Sequence, residues 1–174
     1  MRTPTTTPLT TTSTTKRHTL VDSPYGPLTL VADDGVLCGL YMTEQRHRPP
    51  QETFGPRDDT LLTEARDQLE AYFDGGLKHF TLPLRLHGTP FQRAVWAELR
   101  TIPYGETRTY GELARTLGTP TASRAVGLAN GRNPVGIIVP CHRVVGADGG
   151  LTGYGGGLAR KHRLLAFESG TTLF

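Results

Sequence analysis

Two four-residue stretches constrain the fold of this chain more than any others: Thr89-Pro90-Phe91-Gln92 and Thr109-Tyr110-Gly111-Glu112. In each, the threonine can accept a bond from the amide three residues on, and the Gln or Glu there can reach back to the threonine's own amide. Pro90 adds a φ already set for a first helical residue. Two helix starts are thereby fixed in the second half of the chain. After the first, Phe91, Val95 and Leu99 share one face; after the second, YGELARTLG forms a short helix ended by Gly118. Thr119-Pro120 predicts a third start, for PTASRAVGLAN, closed by Gly131. Two short helices joined by a tight glycine-containing turn make a helix-turn-helix, although an αα-hairpin in a plain helical core carries the same local pattern. Ala122, Ser123 and Ala125 surround Arg124 with small side chains, which suits close approach to a backbone or a duplex.

The first half follows another period. HTLVD and then PLTLVADDGVLCGLYM alternate in twos around Asp34-Gly35, a hairpin turn that needs positive φ. Cys38 falls in this hairpin and reads as a buried structural thiol. In DDTLLTEARDQLEAYFDGG, Leu61, Leu62, Ala65, Leu69, Tyr72 and Phe73 recur at helical spacing, with Asp at the start and Gly75 at the end. Residues 1–15 hold nine threonines, two prolines and no apolar periodicity, too little to offset their ordering entropy. The expected organisation is α+β: a Thr-rich disordered tail over 1–15, a small α+β unit over 16–88 and a mainly helical unit over 89–174.

Charge separates the two units. Residues 1–88 carry nine Lys/Arg against eleven Asp/Glu, a balance of −2, and residues 89–174 carry ten against five, a balance of +5. The basic half points to a polyanionic partner, nucleic acid above all, against the plainer reading of solvated arginine-rich helix faces. No apolar run reaches the roughly 18 residues that span a bilayer, so no membrane partner is expected. With no apolar segment behind the N-terminal charges, a cytoplasmic address is expected. Two cysteines are too few for a disulfide framework and lack the spacing of a zinc site, so both thiols are expected free and no metal is called for.

The remaining cysteine stands in IIVPCHRV, after the run Asn133-Pro134-Val135-Gly136-Ile137-Ile138-Val139-Pro140. That run reads as extended and apolar, threading the core to bring Cys141 to a pocket wall. Burial raises a thiol's pKa and makes it inert unless a base counters it. His142 is adjacent, but neighbouring side chains of an extended segment face opposite ways, so a bridging water or a bend at Pro140 is needed. In the final helix, LARKHRLLAFESG, Leu158, Leu164 and Leu165 are expected to dock, with Glu168 in reach of His142 as its orienting carboxylate. The competing reading makes Cys141 a small core residue and His142 a satisfied buried histidine. Against it stands GADGGLTGYGGG over 146–157, seven glycines in twelve residues around Tyr154, whose ordering is costly unless it serves as a lid.

NPVGIIVPCHRVVGADGGLTGYGGGLARKHRLLAFE closely resembles the signature of the O6-alkylguanine-DNA alkyltransferase family, with similarity running from about Asp22 to Glu168. The resemblance implies a ribonuclease-H-like N-terminal domain and a helical, winged-helix-like C-terminal domain whose helix-turn-helix enters the minor groove of double-stranded DNA. It implies no cofactor, a monomer in solution, base flipping, and one irreversible transfer per molecule from O6-alkylguanine, with O4-alkylthymine as a further candidate substrate. By motif position it makes Cys141 the nucleophile, His142 its water-mediated base, Glu168 the orienter and Asn133 a support for the active-site turn. Arg124 would fill the vacated stack, with Ala122 and Ser123 beside it at the DNA. Tyr110 would push the phosphate backbone and donate to guanine. Tyr154 and Gly155 would form the lid, and the carbonyls of Cys141 and Val144 would accept the guanine 2-amino group. A multiple-turnover Cys-His-Glu hydrolase and a non-catalytic DNA-binding module remain the alternatives from the residues alone.

Overall fold

The structure, a computed structural model, describes residues 15–171. Strands β1 (Lys16–Val21), β2 (Leu28–Asp33) and β3 (Val36–Met42) form an antiparallel sheet in that order. Asp34 and Gly35 turn between β2 and β3 with φ of 49° and 79°, as the hairpin signal requires. The expected tail lies outside the described residues except for Thr15. That residue is tied down: its hydroxyl bonds the Asp33 carboxylate and its carbonyl accepts from Asp34 N at 3.2 Å.

A bulge interrupts the strict alternation. Val31 faces Gly39 and Ala32 faces Leu37, so Cys38 is the extra residue on β3. It consequently leaves the face of Leu40 and Met42 and packs with Val31, Tyr41 and Phe54 in a separate small cluster on the other side of the sheet. Cys38 is thus buried away from everything described below.

Helix α1 (Thr63–Phe73) lays Ala65, Leu69 and Tyr72 into the main core. Leu61 and Leu62 precede it rather than belong to it, Leu62 sitting at a left-handed φ of 54°. Helix α2 (Pro90–Leu99) and helix α3 (Tyr110–Thr116) both begin with the reciprocal capping boxes read from the sequence. On α2 the buried residues are Val95, Trp96 and Leu99, while Phe91 is half-buried; the Trp96 indole donates to Ala129 O at 2.8 Å.

The third helix of this half, α4 (Ser123–Gly131), starts later than expected. Thr119 closes α3 instead of opening α4: its amide donates to Ala114 O at 2.9 Å, and a turn from Thr119 to Ala122 follows. Gly131 is the last helical residue rather than a stop beyond it. Gly131 is not among the ten glycines with positive φ, as a helix-ending glycine beyond the last turn would be.

Two short strands, β4 (Arg108–Thr109) and β5 (Val144–Val145), pair in parallel, and α5 (Leu158–Glu168) closes the fold. On α5 the buried row is Lys161, Leu164, Phe167 and Glu168. Leu158, expected to dock, is exposed: it is the first residue of α5, and the buried row begins a turn later at Lys161. One continuous core joins sheet, α1, α2, α4 and α5. The architecture is α+β, an antiparallel sheet unit followed by a helical part.

Candidate active site

The segment before Cys141 is coiled rather than extended. Only Val135 keeps a strand-like bridge, to Leu40, with Leu40 N donating to Pro134 O at 2.9 Å. Gly136 to Val139 then turn back, Val139 N donating to Val135 O at 3.0 Å. Ile137 has a φ of 69°, a conformation that a β-branched residue adopts only when its surroundings enforce it. Asn133 supplies part of that enforcement by bridging the turn, its Nδ2 donating to Val139 O at 2.8 Å and its Oδ1 accepting from Val135 N at 3.0 Å.

Cys141, His142 and Arg143 then form a single 3-10 turn, all three buried. This winding separates the Cys141 and His142 side chains by a helical step, not by the two faces of a strand. Cys141 lines a cleft with Gln45, Asn130, Asn133, Tyr154 and Gly155. Burial pushes its thiol above the ordinary cysteine value, while the Asn133 side chain and the Lys161 charge pull it down.

His142 Nε2 lies 2.7 Å from Glu168 Oε1. Beside Arg143 that carboxylate is ionised and can only accept, so Nε2 carries a proton, and in the neutral ring Nδ1 presents a lone pair. Nδ1 is buried with no partner among the described residues. Burial alone would push the Glu168 carboxyl up, but His142 and Arg143 outweigh it and hold it well below the usual carboxylate range. Arg143 grips both oxygens, Nε to Oε2 at 2.8 Å and Nη2 to Oε1 at 2.9 Å, and its Nη1 donates to Ile102 O at 2.7 Å.

The β4–β5 pairing sets Tyr110, the first residue of α3, beside the glycine-rich segment, where its hydroxyl donates to Thr152 O at 3.0 Å. Tyr110, Ser123 and Arg124 line one open groove of about 780 Å³ along α3 and α4, with Leu128 exposed beside them. Ala122 caps α4 at the same end. The groove and the thiol cleft are different cavities, and the segment from Thr152 to Gly156 lies between them. Arg46 N holds Gly155 O at 2.8 Å, and a Cβ on Gly156 would come within 2.7 Å of Met42 Sδ, so a larger residue there would have to displace the Met42 side chain.

The carbonyls proposed for base recognition already have protein donors. Asn130 Nδ2 donates to Cys141 O at 3.3 Å, and the Lys161 ammonium bonds Val144 O. Lys161 also holds Thr152 O at 2.8 Å. Burial lowers its pKa to about 8, with the nearby Cys141 opposing that shift. Sequence reasoning passed over Lys161, Arg143, Asn130 and Tyr72. Lys161 was findable, since it is one helical row before Leu164 and Glu168 on the buried face.

A buried, helically presented thiol with a His–Glu pair behind it, set beside a helix-turn-helix groove, defines a nucleophile-bearing protein built to work next to a long polyanion. Comparison with known proteins makes this specific. The 6-O-methylguanine DNA methyltransferase ribonuclease-like domain matches residues 16–86, and the DNA-binding domain of the same proteins matches residues 90–170. The methylated-DNA–protein-cysteine methyltransferase of Mycobacterium tuberculosis is 57% identical over 148 residues, covering 85% of this chain and 89% of that one. Its counterpart in Methanosarcina acetivorans is 49% identical, covering 87% and 97%. The crystal structure of Mycobacterium tuberculosis OGT in complex with DNA superposes with a TM-score of 0.85 at 54% identity, covering 90% of this chain and 95% of that one. The chain belongs to the methylated-DNA–protein-cysteine methyltransferase family.

Proposed function

We propose that this protein repairs DNA by moving the alkyl group of O6-alkylguanine onto its own Cys141, once per molecule and without a cofactor. The observation that carries the reading is the buried Cys141 turn backed by a His142 whose proton is fixed on the Glu168 side. The thiol proton passes through a water to His142 Nδ1, and the sulfur pair attacks the saturated alkyl carbon. The carbon–oxygen bond breaks, its electrons go to the guanine, and the guanine regains the proton that the thiol gave up. Tyr110 donates toward the base as charge arrives there. The product is a thioether, which cellular thiols do not reduce, so the protein does not recycle.

Residues 89–174 form the DNA-binding and alkyl-transfer unit in this reading, and residues 16–88 its support. The groove of α3 and α4 docks in the minor groove of a duplex as a monomer, and Arg124 fills the stack after the lesion turns out into the pocket. O4-alkylthymine is a secondary substrate candidate. The Tyr154–Gly155 lid and the Cys141 and Val144 carbonyls hold the base, the carbonyls using their second lone pairs. Among the described residues no helix is long and apolar enough to cross a membrane, and a reducing cytoplasm suits a thiol that must stay free.

Arg124→Ala tests the flipping role. Repair of O6-methylguanine in duplex DNA is expected to slow at least about tenfold, the equivalent of one lost hydrogen-bond-scale interaction, while attack on the free base O6-benzylguanine stays near wild type. Single-turnover rates on both substrates read this directly, and equal losses on the two would remove Arg124 from the flipping step.

A further inference from the structure

We infer that Tyr72, from the N-terminal unit, is a positioning residue of the alkyl-transfer relay, acting through Glu168. The inference rests on the proposed reaction and adds a member to it from outside the unit that carries the thiol.

Tyr72 lies on the last turn of α1 and is fully buried. Its hydroxyl donates to Glu168 Oε1 at 2.7 Å, across 96 residues of sequence. The same oxygen accepts from His142 Nε2 at 2.7 Å and from Arg143 Nη2 at 2.9 Å, whereas among the described residues Oε2 accepts only from Arg143 Nε. Three donors therefore converge on the one oxygen that orients the base. The phenol is held in place by its ring, which meets Phe167 edge-on at 5.6 Å, Tyr104 edge-on at 6.1 Å and Phe80 at 5.3 Å. Burial and the Glu168 charge both push the Tyr72 hydroxyl well above its ordinary value, so it stays a donor at every working pH.

A shared acceptor divides its charge among its donors. With Tyr72 present, Glu168 orients His142 without drawing its Nε2 proton as strongly as an otherwise unshared carboxylate would. With the hydroxyl gone, the His142–Glu168 bond shortens and the carboxylate loses one of the contacts that fix its plane.

Tyr72→Phe removes the oxygen and keeps the ring. Alkyl transfer at saturating O6-methylguanine duplex is expected to slow about tenfold, the scale on which partners behind a reacting shell act, with one transfer per molecule retained. In the Glu168→Gln background the same substitution is expected to change the rate less than twofold, because its route is already cut. Equal factors in both backgrounds would make Tyr72 a packing residue and overturn the inference. The His142 Nε2 proton resonance, recorded without DNA, is expected to move downfield in Tyr72→Phe; an unmoved resonance would likewise overturn it. If the variant does not fold, the wild-type protein decides: a slowly exchanging Tyr72 hydroxyl proton with a cross-relaxation peak to the His142 Nε2 proton is expected, and a freely exchanging one would contradict the shared acceptor. These proton measurements involve no alkyl transfer, so they stand or fall separately from the proposed reaction.

Discussion

Cys141→Ala leaves O6-methylguanine unrepaired while the protein still binds the duplex. The expected loss of transfer is complete, because among the described residues that line the cleft Cys141 carries the only thiol. Cys38, the other thiol, is the bulge residue on the far side of the sheet, packed with Val31, Tyr41 and Phe54. Burial pushes its pKa up, the largest influence on it. Cys38→Ala is accordingly expected to repair at the wild-type rate. The lost sulfur leaves only a small void, costing on the order of 1 kcal/mol in an unfolding titration. Repair and gel-shift assays on both variants check the contrast, and residual demethylation by Cys141→Ala would point to another nucleophile.

The second large effect belongs to Glu168. Glu168→Gln keeps the shape but turns one oxygen into a donor facing His142 or Arg143. If the amide faces His142, the ring proton must shift to Nδ1, where it blocks proton acceptance from the thiol side. The expected slowing of transfer is about 10²–10⁴-fold, as when an orienting carboxylate in a comparable relay is neutralised. Stability falls too, since buried Arg143 loses its counter-charge; removing one partner of such a pair costs about 3–5 kcal/mol. The pH dependence has a definite sign. The Glu168 carboxyl is held below its unfolded value, so its contribution is fully present above the ordinary carboxylate range and is lost as pH falls toward the folded value. Urea unfolding at several pH values is expected to show the largest gap between wild type and Glu168→Gln near neutrality, narrowing in acid. A gap independent of pH would contradict an ionised Glu168.

Local chemistry made some of this structure readable in the sequence. The two capping boxes and the Asp34-Gly35 turn each depend on neighbours within four residues, and all three formed as read. The misreadings lie where hydrogen bonds that the apolar and capping patterns do not signal, four to six residues apart, overrule those patterns. An apolar run before Cys141 looks like a strand, yet Asn133 and the Val135–Val139 bond wind it, carrying Ile137 into a left-handed conformation that its side chain disfavours. Thr119 looks like a helix start but is used by the helix before it. At the site, the Cys141, His142 and Glu168 set was legible through motif resemblance, and the His142–Glu168 bond is there at 2.7 Å. Tyr72 was not, because a tyrosine on a core-facing helical row looks like ordinary packing until the fold brings Glu168 to it. Lys161 shows the reverse, a cation on a buried row that composition assigns to the surface.

The most direct test of the central claim is a titration of the protein with excess methylated duplex, followed by intact-protein and peptide mass spectrometry. Repair is expected to stop at one lesion per protein molecule, with one added CH2 on the peptide that holds Pro140, Cys141 and His142 and none on the peptide holding Cys38. Repeated turnover with Cys141 unmodified, or an alkyl group on any other residue, would contradict it.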